Sequence, residues 1–172
     1  MSRAGQPLRV VTVCMGNICR SPTAEVVLRD KLVAAGLADR VVVDSAGTYG
    51  GHAGEPPDPR AQEVAQRRGY DLASLQARAL RRDDADADLL LVIDRGNLRR
   101  ARQVVGEHPG LSLFLASKGG GAEVPDPYSG GMDGFERVLD MIEAGAEAWV
   151  ERIRERLERP DDAEAPPVDS GT

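Results

Sequence analysis

The residues best suited to chemistry lie in one stretch near the N-terminus, VCMGNICRS, residues 13–21. Both cysteines of the chain, Cys14 and Cys19, lie there, and Arg20 follows directly after the second. In a cytoplasmic protein, two clustered cysteines are more often chemical than structural. The alternative that this spacing leaves open is that each cysteine is simply a small core residue.

A phosphate-binding loop after a strand is the chemistry that these residue types predict. Gly16 permits a tight backbone, and the amides from Met15 to Arg20 can turn inward to bind an anion beside a helix N-terminus. Arg20 adds a planar, bidentate phosphate donor. At the base of this positive bowl the thiolate of Cys14 is favoured, and thiolate is the nucleophilic form. The stretch therefore predicts phosphoryl transfer without a metal.

Such a reaction needs an acid for the leaving oxygen and then a base for water. Asp126, between two prolines in VPDPYSGG, is the candidate for both roles. Taken alone, the Asp-Pro pair is equally typical of a surface turn.

The elements that must position these residues alternate between strand and helix. Buried strands are predicted at 8–13, from 40, at 87–94 and at 111–117, and helices at 21–37, 58–69, 95–106 and 135–159. Ser21 and Asp58 are the predicted caps of the first two helices, and one face of the last helix is apolar. The alternation predicts an α/β fold, a three-layer sandwich with a four-stranded parallel sheet and flanking helices. Ligands bind such folds at the carboxyl ends of the strands, where the loop after the first strand would lie.

Size and charge limit the possibilities further. The 172 residues suit one domain, predicted over 1–159, followed by a disordered acidic tail over 160–172. A net charge of −6 argues against a nucleic-acid partner held by bulk attraction. We find no apolar run long enough for a membrane span and no signal peptide, so a cytoplasmic location is expected.

The extended loop motif VCMGNICRSPTAE resembles the low-molecular-weight protein tyrosine phosphatase family. The segments DSAGT, EPPDPRA, LLLVIDRGNL and DPYSGGMDGFERVLDMIE resemble further family segments in the same order, so the likeness covers residues 8–157. It implies that Cys14 forms a phosphocysteine, that Arg20 clamps the phosphate, and that Asp126 acts as general acid and then base. It also implies that Ser21 hydrogen-bonds the thiolate.

The resemblance implies further roles around the loop. Asn17 would support the loop together with Ser45, and Cys19 would form a reversible disulfide with Cys14 under oxidation. Asp94 and Asn97 are candidates for steadying the site, although Asp94 could simply cap the next helix. The expected substrate-binding residues are Met15, Gly16, Asn17, Ile18, Cys19, Ser21, Tyr49 and Tyr128. No cofactor and no metal are expected.

Ile18 favours phosphotyrosine, because similar protein-arginine phosphatases carry threonine at this place. The sequence also departs from the family at three positions. Gly51 stands where many members have a tryptophan, Ser129 replaces an aromatic after Asp-Pro-Tyr, and Leu75 replaces a histidine of the loop support. His52 and His108 are predicted to be exposed loop residues, with His52 near the rim of the site.

The expected partner is a tyrosine-phosphorylated protein, with a bacterial tyrosine kinase as one candidate, and the chain is expected to be a monomer. Three alternatives remain open. One is a protein-arginine phosphatase on the same scaffold. Another is a thiol redox enzyme similar to arsenate reductase, for which the chain lacks further resolving cysteines. The third is an inactive phosphoprotein-binding module.

Overall fold

The fold was obtained as a computed structural model that describes residues 5–115, 122–127 and 130–159. Strands and helices alternate along these residues, in the order β1 Leu8–Cys14, α1 Arg20–Ala34, β2 Val41–Gly47, α2 Pro59–Arg67, β3 Leu89–Val92, α3 Arg95–Val105, β4 Leu111–Leu113 and α4 Met132–Glu158. Tyr128, Ser129 and the predicted acidic tail 160–172 lie outside the described residues.

The four strands form one parallel sheet in the order β2-β1-β3-β4. Strand β1 is central, and the chain passes from β2 on one side of it to β3 on the other. Its carboxyl end is therefore the point where strand order reverses, which is where α/β sheets bind ligands. The predicted parallel α/β sandwich is confirmed.

Alternate residues of β1 contribute to two separate apolar clusters, one on each face of the sheet. Val10 and Cys14 join the larger cluster, which also contains the buried faces of α1, α2 and α4. Val11 and Val13 join the smaller cluster, in which Ala101 of α3 is buried. Because side chains alternate across a strand, β1 is apolar on both faces, as a central parallel strand requires.

Local capping explains where several helices begin. Asp58 caps α2 by accepting a hydrogen bond from the amide of Arg60, and Pro59 takes the first helical position. The apolar face predicted for α4, from Phe135 to Ile153, is buried as expected. The predicted Ser21 cap of α1 is wrong. The helix begins at Arg20, and Cys19 takes the capping position, where its carbonyl accepts a hydrogen bond from the amide of Thr23. The Ser21 hydroxyl lies beside the Cys14 sulfur in the site.

Strand β4 is shorter than predicted and ends at Leu113. The next residue, Phe114, is fully buried, and its carbonyl accepts a 2.6 Å hydrogen bond from the Trp149 indole of α4. That carbonyl is thus bonded to a helix side chain instead of a strand. An apolar run shows that residues are buried but does not show where a strand ends, so the sequence predicted a longer β4 than the structure has.

Candidate active site

The predicted phosphate-binding loop, residues 14–20, connects β1 to α1, and three of its carbonyl groups bond segments outside the loop. The carbonyls of Cys14 and Met15 accept hydrogen bonds from the amides of Thr48 and Tyr49, at 2.9 and 2.8 Å. The carbonyl of Ile18 accepts from the amide of Asp58 at 2.7 Å. Carbonyls held outside leave the loop amides facing inward, which is the arrangement that binds anions.

Two backbone features let the loop close this tightly. Asn17 adopts a left-handed conformation with φ of 57°, which asparagine tolerates better than most residues. Gly47, at the end of β2, lies directly beneath the loop, and a Cβ there would come within 2.6 Å of the Met15 carbonyl oxygen. A side chain at position 47 would therefore push the loop away from the sheet.

The Cys14 sulfur lies at the base of the loop and is almost fully buried. It lies 3.0 Å from the Ser21 hydroxyl oxygen and 3.3 Å from the amide nitrogen of Asn17. Both groups can donate a hydrogen bond to this sulfur.

The direction of the Ser21 hydrogen bond follows from its neighbours. The Asn17 side-chain amide donates to the Ser21 hydroxyl at 2.8 Å and to the Ser45 hydroxyl at 3.0 Å. Ser45 in turn donates to the buried Glu25 carboxylate at 2.6 Å. The Ser21 hydroxyl accepts from Asn17 and has two neighbours to which it can donate, the Cys14 sulfur at 3.0 Å and the Ala46 carbonyl at 3.4 Å. The sulfur is the nearer of the two, and as a thiolate it would be the stronger acceptor.

The orientation of the Asn17 amide is set by Arg78, which sequence reasoning had not singled out. The Arg78 backbone amide donates to the Asn17 side-chain oxygen at 2.9 Å. The Arg78 guanidinium binds Asp44 and the buried Asp84. Burial opposes ionisation of Asp84, but its hydrogen bonds from Arg78 and Arg81 outweigh this and lower its pKa.

Leu75, where the resemblance suggested a loop-supporting histidine, packs partly buried against the core. Asn17 is supported instead by the backbone amide of Arg78. Every residue except proline has such an amide, so the sequence does not show which one will bond Asn17. Glu25 was also missed as a site residue, although a glutamate within an otherwise buried helix segment was a usable signal.

Arg20 is buried at the pocket wall and is held by groups from two other segments. One terminal nitrogen donates to Asp94 of the α3 cap and to the carbonyl of Val124, each at 2.9 Å. The other terminal nitrogen lies 4.0 Å from the Asp126 carboxylate. The guanidinium is thus fixed from one side and presents its remaining edge toward the pocket.

Asp94 makes both of the contacts that the sequence left open, one to the next helix and one to Arg20. One oxygen caps α3 by accepting from the amide of Asn97 at 2.8 Å, and the other binds Arg20. Burial works against the charged form, but the hydrogen bonds from Asn97 and Arg20 lower the pKa of this carboxyl. Asn97 in turn bonds Thr48 of the loop after β2.

Asp126 lies at the mouth of the pocket, with its side chain half exposed. The segment that carries it is anchored by Val124, whose amide donates to the carbonyl of Ile93 at 3.0 Å and whose carbonyl binds Arg20. Arg20 therefore forms part of the pocket wall and also holds in place the segment that carries Asp126.

One pocket brings together the three predicted catalytic residues and four of the predicted substrate-binding residues, while Asn17 and Ser21 lie behind its wall. The pocket is lined by residues of the loop and of the rim around it: Cys14, Met15, Gly16, Ile18, Cys19, Arg20, His52 and Asp126. Tyr49, predicted to bind substrate, does not line it, and its ring is exposed beside His52. His52, predicted as an exposed loop residue near the rim, lines the pocket with its side chain 36% exposed and its ring close to Gly16.

The second cysteine, Cys19, is also buried in the pocket wall, and both cysteines are free thiols. Burial, together with the nearby Cys14 sulfur, raises the pKa of the Cys19 thiol. Cys19 is therefore held in its protonated form, which is the poor nucleophile.

Residues 5–115, 122–127 and 130–159 contain no cluster of histidine, cysteine and carboxylate side chains that could hold a metal ion. The helices of these same ranges include none long and apolar enough to cross a membrane.

Comparison with known proteins gives a consistent result. The family of low molecular weight phosphotyrosine protein phosphatases matches residues 9–159. A low molecular weight protein-tyrosine-phosphatase of Streptomyces coelicolor is 41% identical over 157 residues, covering 87% of this chain and 96% of that protein. The crystal structure of YfkJ from Bacillus subtilis is 34% identical with a TM-score of 0.83, covering 89% of this chain and 98% of that one.

A further solved structure, Vibrio vulnificus Wzb in complex with benzylphosphonate, is 31% identical with a TM-score of 0.76. It covers 84% of this chain and 98% of its own. The family match spans almost all of the described residues, including the loop, its supports and the Asp126 segment. This chain therefore belongs to the low molecular weight phosphotyrosine protein phosphatase family.

Proposed function

We propose that this protein hydrolyses phosphotyrosine in proteins through a phosphocysteine on Cys14, without a metal. The observation that carries the proposal is the loop itself, with its carbonyls held outside and a buried sulfur at its base beside Arg20. Family membership supports the same reaction, and one domain over residues 1–159 would contain all of it.

In the first step the Cys14 thiolate attacks phosphorus, so a sulfur–phosphorus bond forms as the bond to the tyrosyl oxygen breaks. Asp126, protonated, delivers its proton to that leaving oxygen. The loop amides and Arg20 bind the equatorial oxygens, where charge is spread in the transition state.

In the second step Asp126, now a carboxylate, takes a proton from water as the water oxygen attacks phosphorus. The sulfur–phosphorus bond breaks, and inorganic phosphate and the Cys14 thiolate are released. The hydroxyl of Ser21, oriented by Asn17, donates to the departing sulfur and lowers the cost of its negative charge.

Phosphotyrosine is preferred over phosphoarginine because Ile18 lines the pocket with an apolar side chain. The bound benzylphosphonate of the related Wzb is a phosphonate on a benzyl group, which is consistent with an aromatic substrate. The substrate would be a tyrosine-phosphorylated protein. A tyrosine kinase as that protein, a monomeric state and a cytoplasmic location stay predictions.

The test is hydrolysis of a phosphotyrosine peptide beside a phosphoarginine peptide, with EDTA present. We expect phosphotyrosine turnover that falls at least about 10⁴-fold in Cys14→Ser, because the nucleophile is lost. Cys19→Ala removes the other loop cysteine, whose thiol pKa is raised by burial, and it should lose far less turnover than Cys14→Ser. Preference for phosphoarginine would contradict the role of Ile18. No turnover of either peptide would favour a phosphoprotein-binding module.

A further inference from the structure

Two separate attachments hold the segment that carries Asp126. Val124 anchors it on the side before the carboxylate. On the side after it, the carbonyl of Gly130 accepts a hydrogen bond from a terminal nitrogen of Arg60 at 3.4 Å. The amide of Gly130 donates to the carbonyl of Pro127 at 3.0 Å, which ties this attachment to the residue directly after Asp126. Because the Asp126 side chain is half exposed, its position depends on these backbone attachments.

Arg60 is itself held by Asp58, the buried cap of α2. The two Asp58 carboxylate oxygens accept from Nε and from one terminal nitrogen of Arg60, at 3.2 and 3.0 Å. Burial opposes ionisation of Asp58, but its hydrogen bonds from Arg60 outweigh this and lower its pKa. The Asp58 amide donates to the carbonyl of Ile18 in the phosphate-binding loop at 2.7 Å. Arg60 is therefore connected to the loop through a single residue.

The ring of Phe135 fixes the guanidinium from a third direction. The Arg60 guanidinium carbon lies 4.6 Å from the centroid of this ring, which is buried near the start of α4. A planar guanidinium stacked over a ring face is held there by a cation–π contact. Since one edge of the guanidinium bonds Asp58, the remaining terminal nitrogen is left for Gly130. Arg60 thus joins the support of the loop, the segment that carries Asp126 and α4.

We propose that Arg60 is a positioning residue for the general acid. It fixes the Asp126 segment relative to the phosphate-binding loop, so that the carboxyl group reaches the oxygen that leaves. This inference rests on the proposed function, because it needs Asp126 to protonate that oxygen. A positioned acid matters most when the leaving oxygen is basic, since an acidic phenol departs as its anion. Loss of Arg60 should therefore slow poor leaving groups selectively.

The test compares phenyl phosphate, whose leaving oxygen is basic, with para-nitrophenyl phosphate, whose phenol is more acidic. In Arg60→Met, kcat/KM should fall about tenfold for phenyl phosphate and less than about threefold for para-nitrophenyl phosphate, because a displaced acid loses part of its rate contribution. Arg67→Met is the matched control, since Arg67 lies on the same helix and pairs with Glu136 of α4 at 3.2 Å. It should leave both values unchanged. An equal loss on both substrates, or no loss on either, would overturn the proposal.

A double-mutant cycle with Asp126→Asn separates positioning of the acid from a general structural effect. If Arg60 acts through Asp126, Arg60→Met should cause little further loss of kcat/KM for phenyl phosphate in the Asp126→Asn protein. An undiminished tenfold loss in that protein would show that Arg60 acts independently of the acid, and the proposal would be wrong.

Arg60→Lys provides the same test if thermal unfolding shows that Arg60→Met folds poorly. An ammonium keeps the charge beside Asp58 and Phe135, but it cannot bond both Asp58 oxygens and the Gly130 carbonyl in the geometry of the guanidinium. The loss should again be larger for phenyl phosphate. Values equal to those of the wild type would overturn the proposal.

The wild type and Asp126→Asn report separately on the proposed function. If the wild type hydrolyses neither aryl phosphate, the proposed function fails together with the inference. If Asp126→Asn loses more on phenyl phosphate while Arg60→Met does not, the proposed function stands and only the inference fails.

Discussion

The base and the rim of the pocket are built in opposite ways. At the base, Cys14, Asn17, Arg20 and Ser21 are buried. Asn17 is held by Ser45 and Arg78, and Arg20 is held by Asp94 and Val124, each from a different part of the chain. At the rim, Tyr49 is exposed and contacts His52, whose partner Glu55 lies three residues away. Geometry at the base depends on four segments of the fold, and geometry at the rim depends largely on one short turn.

This difference separates chemistry from selectivity. A reacting phosphorus must be held within a fraction of an ångström, which requires buried and fully bonded supports. Recognition of the surrounding peptide tolerates exposed, locally held side chains. We therefore expect changes at the base to reduce kcat strongly, and changes at the rim, apart from those at the proposed acid Asp126, to alter mainly KM.

Arg20→Lys should give the largest effect that tests this difference. The guanidinium binds Asp94 and the Val124 carbonyl while still facing the pocket, and an ammonium cannot do both. We expect kcat/KM for a phosphotyrosine peptide to fall about 10³-fold, the upper range for loss of one preorganised donor. Arg68→Lys, in the ion pairs between α2 and α4, is the matched control and should leave kcat/KM unchanged. A loss below tenfold for Arg20→Lys would show that charge alone suffices.

Asp126→Asn removes the proposed general acid, a reacting group that lies at the rim. The amide keeps the shape of the side chain but cannot deliver a proton, so kcat should fall about 10²-fold with little change in KM. An aryl phosphate with a more acidic phenol needs less protonation and should lose less. Glu123→Gln, three residues earlier, is the matched control. An equal loss on both substrates would rule out Asp126 as the acid.

Tyr49→Ala should give the smallest effect, confined to binding. The edge contact with His52 is lost, and a ring pair of this kind contributes about 0.5–1.5 kcal/mol to holding the rim. Because this contact exists with or without substrate, only part of that energy can reach substrate binding, and KM should rise less than about tenfold. Tyr49→Phe keeps the ring and should match the wild type. A change in kcat would mean that the rim also positions the reacting groups.

Much of the fold could be predicted because its signals are local. The apolar strand residues, the caps Asp58 and Asp94 and the periodic face of α4 each act within a few residues of themselves. The end of β4 could not be predicted, since it depends on the Trp149 indole, which is 35 residues away from the carbonyl that it bonds. The site also has a part that could be predicted and a part that could not. The loop is one continuous stretch of sequence, whereas the residues that support it come from distant parts of the chain.

By itself, the sequence determined the loop from Cys14 to Ser21, the parallel α/β fold and the late Asp126. Those features follow from residue type and spacing along the chain. Only the tertiary structure showed that Arg78 orients Asn17, that Glu25 ends the hydroxyl chain and that His52 lies against Gly16. These contacts join residues from 20 to 61 positions apart, or depend on how one turn folds back, so no local pattern records them.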